Sequence, residues 1–212
     1  MFCPVGPTLR RLRGYGGPVP LLGPTDPLPR RPRRVLVAGA SGSGKTTVAA
    51  RVAEVLEVPH IEIDALFHGP GWTPRPSFEA DVRRFAAEPT WVTEWQYQLV
   101  RAHLAERADL LVWLDLPRPL VMRQVVRRTL VRRLRRKVLW NGNIEPPLRT
   151  FFSDPDHIVR WSWRTHGMTP AGVAALLKDR PELDVVRIRS RSELAGWLSG
   201  PLCQAAGSPP EC

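Results

Sequence analysis

The 212 residues are 43% hydrophobic and 24% charged, which is enough apolar mass for one α/β domain with its own buried core. No run of eighteen apolar residues occurs, which excludes a membrane-spanning helix. The three cysteines, Cys3, Cys203 and Cys212, sit near the termini without metal-type spacing. Such an odd, scattered set argues against a disulfide scaffold and points to a reducing, cytoplasmic setting. The net charge of +11 is unevenly placed. Residues 1–34 hold seven arginines against Asp26 alone, and residues 118–137 hold eight arginines and Lys137 with no acid, so the rest of the chain is mildly acidic. A nucleic-acid binder spreads its basic footprint along one groove-facing surface. A split between a tail and one segment suits a small anionic ligand at least as well.

In chain order, residues 1–33 read as a disordered tail, because recurrent prolines (Pro4 to Pro32) remove donors and block helix and central strand. The domain proper spans 34–200. Val35–Ala38 is a short apolar run of the kind that forms a buried parallel strand, and Thr46–Leu56 has helical spacing of its valines and Leu56. Further strands are expected at His60–Ile63, Trp91–Thr93, Leu110–Leu114 and Val185–Ile188, with a closing helix at Ser192–Leu198. Strands alternating with helical segments imply a parallel sheet with right-handed crossovers. The connection from Pro117 to Asp184 is longer than one crossover needs and must hold extra structure, a mobile subdomain over about 118–168. Residues 201–212 read as a second loose end.

The clearest chemistry lies between the first strand and the first helix. Gly39, Ala40, Ser41, Gly42, Ser43, Gly44, Lys45 and Thr46 fill the pattern GxxxxGK[ST] at every defined position, and Thr47 follows. Glycines let the backbone curl so that its N–H groups converge on the phosphates of ATP or GTP, and the helix from Thr46 adds its N-terminal dipole. Lys45 is expected to reach the β- and γ-phosphates and Thr46 to ligate Mg²⁺. Only three lysines accompany 28 arginines, yet one lysine falls here. Asp115, after the apolar run Leu110–Leu114, fits a second acid for the metal.

In the basic segment a helical wheel places Val126, Leu130, Val131, Leu134 and Val138 on one face, with Arg123 and Arg127 among them, and Arg128, Arg132, Arg135 and Arg136 opposite. Charges on an apolar stripe need a partner, and a triphosphate is one. Arg123 and Arg127 are therefore candidates to bind it, with Arg128 next to them in sequence as a third. Asn141-Gly142-Asn143 reads as a turn, and Asp154 and Pro155 as the start of a helix carrying Arg160 and Arg164 one turn apart.

The stretches GASGSGKTT (39–47), IEIDALFHGPGWTPRP (61–76), WVTEWQY (91–97), WLDLPRP (113–119), LWNGN ending at Asn143, and FFSDPDHIVRWSWRTH (151–166) carry a resemblance. From Val35 to Leu198 the chain resembles the adenylate-kinase-like P-loop kinases, in particular the bacterial topology-modulation or adenylate-kinase-related branch. The resemblance implies a five-stranded sheet in the order 2-3-1-4-5, an acceptor region after the second strand, and an arginine-rich lid after the fourth. It makes Asp64 an acceptor contact or a base for the acceptor hydroxyl. Trp72 and Arg75 would offer a stacking surface and a phosphate contact. Relatives often carry Asp-Gly-Asn-Tyr where this chain reads Glu94-Trp95-Gln96-Tyr97. Glu94 would keep the Mg²⁺-binding acid, while Trp95 in place of glycine weighs against a nucleoside monophosphate acceptor. Arg101 would hold an anionic group of the acceptor. The expectation is a monomeric, cytoplasmic, Mg·ATP-dependent kinase acting on a small molecule, with Glu94 and Asp115 as rival metal ligands. The competing reading is a slow ATPase switch that binds nucleic acid through its basic segments.

Overall fold

A parallel strand flanked by helices on both sides must be apolar on both faces, and Arg34–Gly39 (β2) meets that demand. Val35 and Val37 enter the core layer on one side, and Leu36 and Ala38 enter the layer on the other. The computed structural model describes residues 21–134, 140–143 and 158–207, apart from the side chains of 132–134 and 158–161. Its strands are β1 (Leu21–Leu22), β2, β3 (His60–Ile61), β4 (Trp91–Glu94), β5 (Leu110–Leu114) and β6 (Asp184–Ile188). All pair in parallel, in the order β1-β6-β5-β2-β4-β3. With β1 set aside, this is the expected five-strand order, and β1 adds a sixth strand beyond β6.

The helices are α1 (Lys45–Leu56), α2 (Ile63–Phe67), α3 (Phe78–Ala86), α4 (Gln98–Arg107), α5 (Arg118–Leu134), α6 (Ile158–Thr165), α7 (Met168–Asp179), α8 (Arg191–Trp197) and α9 (Cys203–Ala206). One core layer takes Val48, Val52 and Leu56 of α1, Val121 and Val125 of α5, and Trp197 and Leu202. The other takes Phe78, Val82, Leu104, Val173 and Leu177 from α3, α4 and α7. None of these described helices is long and apolar enough to cross a membrane.

Three expectations are corrected. The segment expected as a tail over 1–33 belongs to the fold from Leu21 onward. Leu21 and Leu22 are buried and pair with Val185 and Val186, one leucine entering each core layer. Arg31 then donates to the Leu56 carbonyl at 2.8 Å and the Ala206 carbonyl at 3.0 Å, and the Asp109 carboxylate accepts from the N–H groups of Arg33 and Arg34. Prolines exclude a helix but not a two-residue edge strand, which is why composition alone misleads here. At the other end Leu202, Cys203 and Ala206 are buried, so residues up to 207 pack on the domain and Cys203 is a buried free thiol. Residues 1–20 and 208–212, with Cys3 and Cys212, lie outside the described residues. The strand expected over His60–Ile63 pairs only at His60–Ile61, and Ile63 already starts α2, which lifts Asp64 into that helix's first turn.

The contribution of the N-terminal strap can be measured. Arg31→Ala removes two hydrogen bonds from a cation to carbonyls at helix ends and should cost about 1–2 kcal/mol. Arg30→Ala breaks only an exposed 3.6 Å pair with Asp184 and should leave stability nearly unchanged. Chemical denaturation of both variants checks the contrast.

Candidate active site

The phosphate-binding loop leaves β2 at Gly39 and enters α1 at Lys45. Gly42 and Gly44 both have left-handed φ, 84° and 95°, and the Ser43 N–H donates to the Ala40 carbonyl at 3.0 Å to curl the loop between them. Gly42 is needed on a second ground, because a Cβ there would stand 2.0 Å from Val125 Cγ2 of α5. No side chain caps α1 and no acid lies in its first turn, so its N-terminal dipole and donors remain available to an anion. Ser43 is buried, and Ser41 turns its carbonyl toward the lid. Thr47 is exposed on the first turn of α1.

Lys45 reaches back to the Ala40 carbonyl at 3.4 Å. Burial pulls its pKa down to about 8. The charges of Asp64 and Glu94 work against that shift, and those of Arg128 and Arg101 work with it. The ammonium therefore lies within electrostatic reach of four of the expected site residues. Glu94 is there because β4 runs beside β2 with Val37 opposite Glu94, at the carboxyl end of the sheet where such folds bind ligands. It is 1% exposed. Desolvation opposes its charge, yet hydrogen bonds from His60, the Ile63 N–H and the Thr46 hydroxyl hold its carboxyl below the usual range. Thr46 and Glu94 thus face one another. Among the described residues no three His, Cys, Asp or Glu side chains cluster to cage a metal. Two adjacent protein oxygens do fit Mg²⁺, which keeps most of its waters and takes phosphate oxygens as ligands. The rival Asp115 is bound through one oxygen by Arg187, whose Nε lies at 2.8 Å, and Arg187 itself lies 4.6 Å over the Trp113 ring. Asp115 Oδ2 is thus held by a guanidinium at the end of β5.

Asp64 accepts from the Gln96 amide and, at 2.7 Å, from the Tyr97 hydroxyl. Burial and the neighbouring carboxylate push the Tyr97 pKa up, so its proton stays in that bond. Arg101 lies over the Trp95 ring at 5.0 Å. Burial lowers its pKa, and its Nε has no hydrogen-bond partner among the described residues. Arg75 donates through Nη2 to Ser77 and, at 3.1 Å, to Asp81. Trp72 is half-buried and meets His68 and Trp140 edge-on, at 5.1 and 6.3 Å between ring centroids, so it forms part of an aromatic wall with Phe67 and Tyr97.

The lid arginines fall differently from the helical wheel. On α5 the residues turned to the core are Val121, Val125 and Thr129, with Arg128 half-buried beside them. Val126, Leu130 and Val131 are 40–43% exposed, and Arg123 and Arg127 share that outer face. Arg123 and Arg127 are thus exposed, while Arg128 lies within electrostatic reach of Lys45. The wheel found the most apolar stripe, but the packing of α5 on Gly42 selected a narrower one. The side chains of Arg132, Leu134 and Arg160, and residues 135–139, 154 and 155, lie outside the description. Arg164 is exposed on α6. On the same helix fully buried Ser162 donates to the Ser41 carbonyl at 2.7 Å, which seats the lid on the phosphate loop.

The local pattern marks Asn141-Gly142-Asn143 as a turn and assigns no role to His68 or Ser162, while Tyr97 appears in it only as the last residue of the Glu94–Tyr97 motif. That Asn143 is buried against the loop around Gly69 is a tertiary fact no local pattern announces.

No protein-family model matches this sequence, and no curated protein matches it significantly. Among solved structures the chain is similar to a gluconokinase from Sinorhizobium meliloti 1021, at 22% identity over 84% of this chain and 95% of that one, with a TM-score of 0.49. It is also similar to a shikimate kinase from Bacteroides thetaiotaomicron, at 16% identity over 79% of this chain and 94% of that one, with a TM-score of 0.41. Neither likeness assigns a residue or a substrate here.

The lowered pKa of Lys45 has a stability consequence with a definite sign. The unfolded chain binds the Lys45 proton more tightly than the native state, so the lysine penalises folding fully below pH 8, and the penalty fades as pH rises from about 8 toward 10.5. Lys45→Met should raise the melting temperature of the nucleotide-free protein at pH 7, and the gain should shrink by pH 10. Thermal melts at the two pH values test this.

Proposed function

We propose that this chain is a Mg·ATP-dependent phosphotransferase, which moves the γ-phosphoryl group to a hydroxyl of a small molecule. One observation carries the reading: a desolvated Lys45 ammonium at the mouth of a glycine-curled loop, with one acid beside Thr46 and a second acid, Asp64, on the acceptor side. The loop N–H groups and Lys45 hold the β- and γ-phosphates, and the closeness of the polyanion restores the charge that burial disfavours on Lys45. Thr46 and Glu94 would hold Mg²⁺, which when bound neutralises the oxygens of the transferring group.

Asp64, fixed by Gln96 and Tyr97, accepts the proton of the acceptor hydroxyl. Arg128 replaces Arg123 and Arg127 as the lid charge that faces the reaction, and Arg101 supports the acceptor's anionic group. With Ser162 seated on Ser41, the lid excludes water that would otherwise take the phosphoryl group. The stretches at 61–76 and 140–143 support placing the chain in the topology-modulation branch of the adenylate-kinase-like kinases.

The test is ADP release from Mg·ATP across nucleosides, nucleoside monophosphates, sugars and hydroxy acids. Lys45→Ala should abolish nucleotide binding in calorimetry, and unaltered affinity would remove the basis of the reading. With the best acceptor, Arg128→Ala should lower kcat by ~10²-fold, about 2.7 kcal/mol, while Arg123→Ala and Arg127→Ala change it little. Equal losses at all three would favour polyanion binding by the whole helix instead. Glu94→Gln should raise the Mg²⁺ concentration needed for half-maximal rate by roughly tenfold or more, whereas Asp115→Asn should not.

A further inference from the structure

Four consecutive residues at the end of β4 divide among different partners. Glu94 faces Thr46, while Gln96 and Tyr97 both donate to Asp64. Trp95 goes to neither. It is 7% exposed, and its Nε1 donates to the Arg101 carbonyl at 3.2 Å. The Arg101 guanidinium folds back over the same ring, at 5.0 Å from its centroid. Tyr97 sets up this return, because its left-handed backbone, with φ of 61° and ψ of 101°, turns the chain sharply into α4. Arg101 then falls one turn into that helix. On the far side, a Cβ at Gly172 of α7 would stand 3.7 Å from the indole edge and 4.0 Å from Arg101 Nη1, so α7 walls the pair.

What this cation lacks is an anion. Arg75 donates to Asp81 at 3.1 Å, but among the described residues no acid pairs with Arg101 and no acceptor takes its buried Nε. Arg101 also lies close enough to Lys45 to disfavour that lysine's charge. A half-buried guanidinium near a second cation costs free energy until an anion meets it. The first turn of α4 adds to the demand, since it holds no acid and no side-chain cap. Charge then decides which anion fits. A phosphate monoester brings about −1.5 to −2 at neutral pH, and Asp64 and Glu94 already stand near Lys45. One guanidinium balances one carboxylate, and its planar fork matches the two carboxylate oxygens.

We propose that Trp95 and Arg101 form a carboxylate subsite, which makes the acceptor a compact hydroxy acid rather than a nucleoside monophosphate. This inference rests on the phosphotransferase reading and names the acceptor class for it. Trp95 is the specificity-determining residue. Its indole braces the guanidinium and, with α7, closes the space behind it, so a carboxylate fits where a sugar and base do not. The acceptor hydroxyl is the group that Asp64 deprotonates. In the transfer its oxygen bonds to the γ-phosphorus while the bond from that phosphorus to the β–γ bridging oxygen breaks. ADP leaves, and the hydroxyl proton stays on Asp64. The carboxylate takes no part in that exchange, so Arg101 acts in binding and orientation.

The test is ADP release from Mg·ATP by the full chain, with glycerate, threonate and galactonate each set beside its carboxamide, and with AMP and CMP. The best acid should exceed its amide by about 30-fold in kcat/KM, the ordinary worth of a hydrogen bond between charged groups, and should exceed both nucleotides. Arg101→Gln should raise KM for that acid by a similar factor and bring the acid-to-amide ratio near one. It should leave the calorimetric affinity for Mg·AMP-PNP within about threefold, a split that a general loss of stability does not produce. Arg101→Lys, which keeps the charge but not the fork, should recover part of the ratio. A guanidinium that only braces Trp95 would lower the melting temperature on replacement without moving that ratio, and this result overturns the subsite alone. So does AMP or CMP as the better acceptor, an amide equal to its acid, or Mg·AMP-PNP binding with no acid turned over. The wild-type comparisons decide the matter even if the variants fail to fold. Absence of any Mg·AMP-PNP binding removes the phosphotransferase reading and the subsite with it.

Discussion

Lys45 stands where β2 gives way to α1, and its ammonium has lost most of its water. A cation so placed stays tolerable only while acids lie close to it, and the sheet supplies them. The β2–β4 register brings Glu94 beside the loop, and the early end of β3 brings Asp64. Each acid is then tied by its own donors, Glu94 by His60, the Ile63 N–H and Thr46, and Asp64 by Gln96 and Tyr97. The site is thus a balance of buried charges, and on the proposed reading a polyphosphate would relieve it, so that ligand affinity and native-state strain would have a common source.

The same economy governs the lid. Gly42 serves the curl of the phosphate loop and also the close approach of Val125, so the helix that brings Arg128 to the site is positioned by the residue the phosphates need. Ser162 and Asn143 fasten other parts of the lid to backbone carbonyls rather than to side chains. Such contacts depend on where the main chain runs and tolerate varied side chains on the receiving loop.

Much of this was legible in the sequence, for physical reasons. A buried parallel strand must be apolar throughout, so Val35–Ala38 and Leu110–Leu114 announced themselves. The phosphate loop needs glycine where φ is positive, so its pattern is close to obligatory. What stayed hidden depended on neighbours distant in sequence. Leu21 and Leu22 are a strand only because β6 offers them an edge and both core layers a gap. Asp115 is paired with Arg187 of β6, which no local pattern announces. On α5 the helical period was right and the buried face was wrong, because hydrophobicity ranks the stripes while contact with Gly42 chooses among them. The two asparagines of the turn carried a local signal for a bend and none for burial.

The two outermost strands, β1 and β3, are each only two residues long. A parallel sheet of six strands would ordinarily expose two rows of unpaired main-chain donors and acceptors, each a template on which another chain could continue the ladder. Among the described residues each row is two residues long, which offers a foreign strand few groups to pair with. Leu21–Leu22 pairs with two residues of the five-residue strand β6, and each leucine enters one of the two core layers.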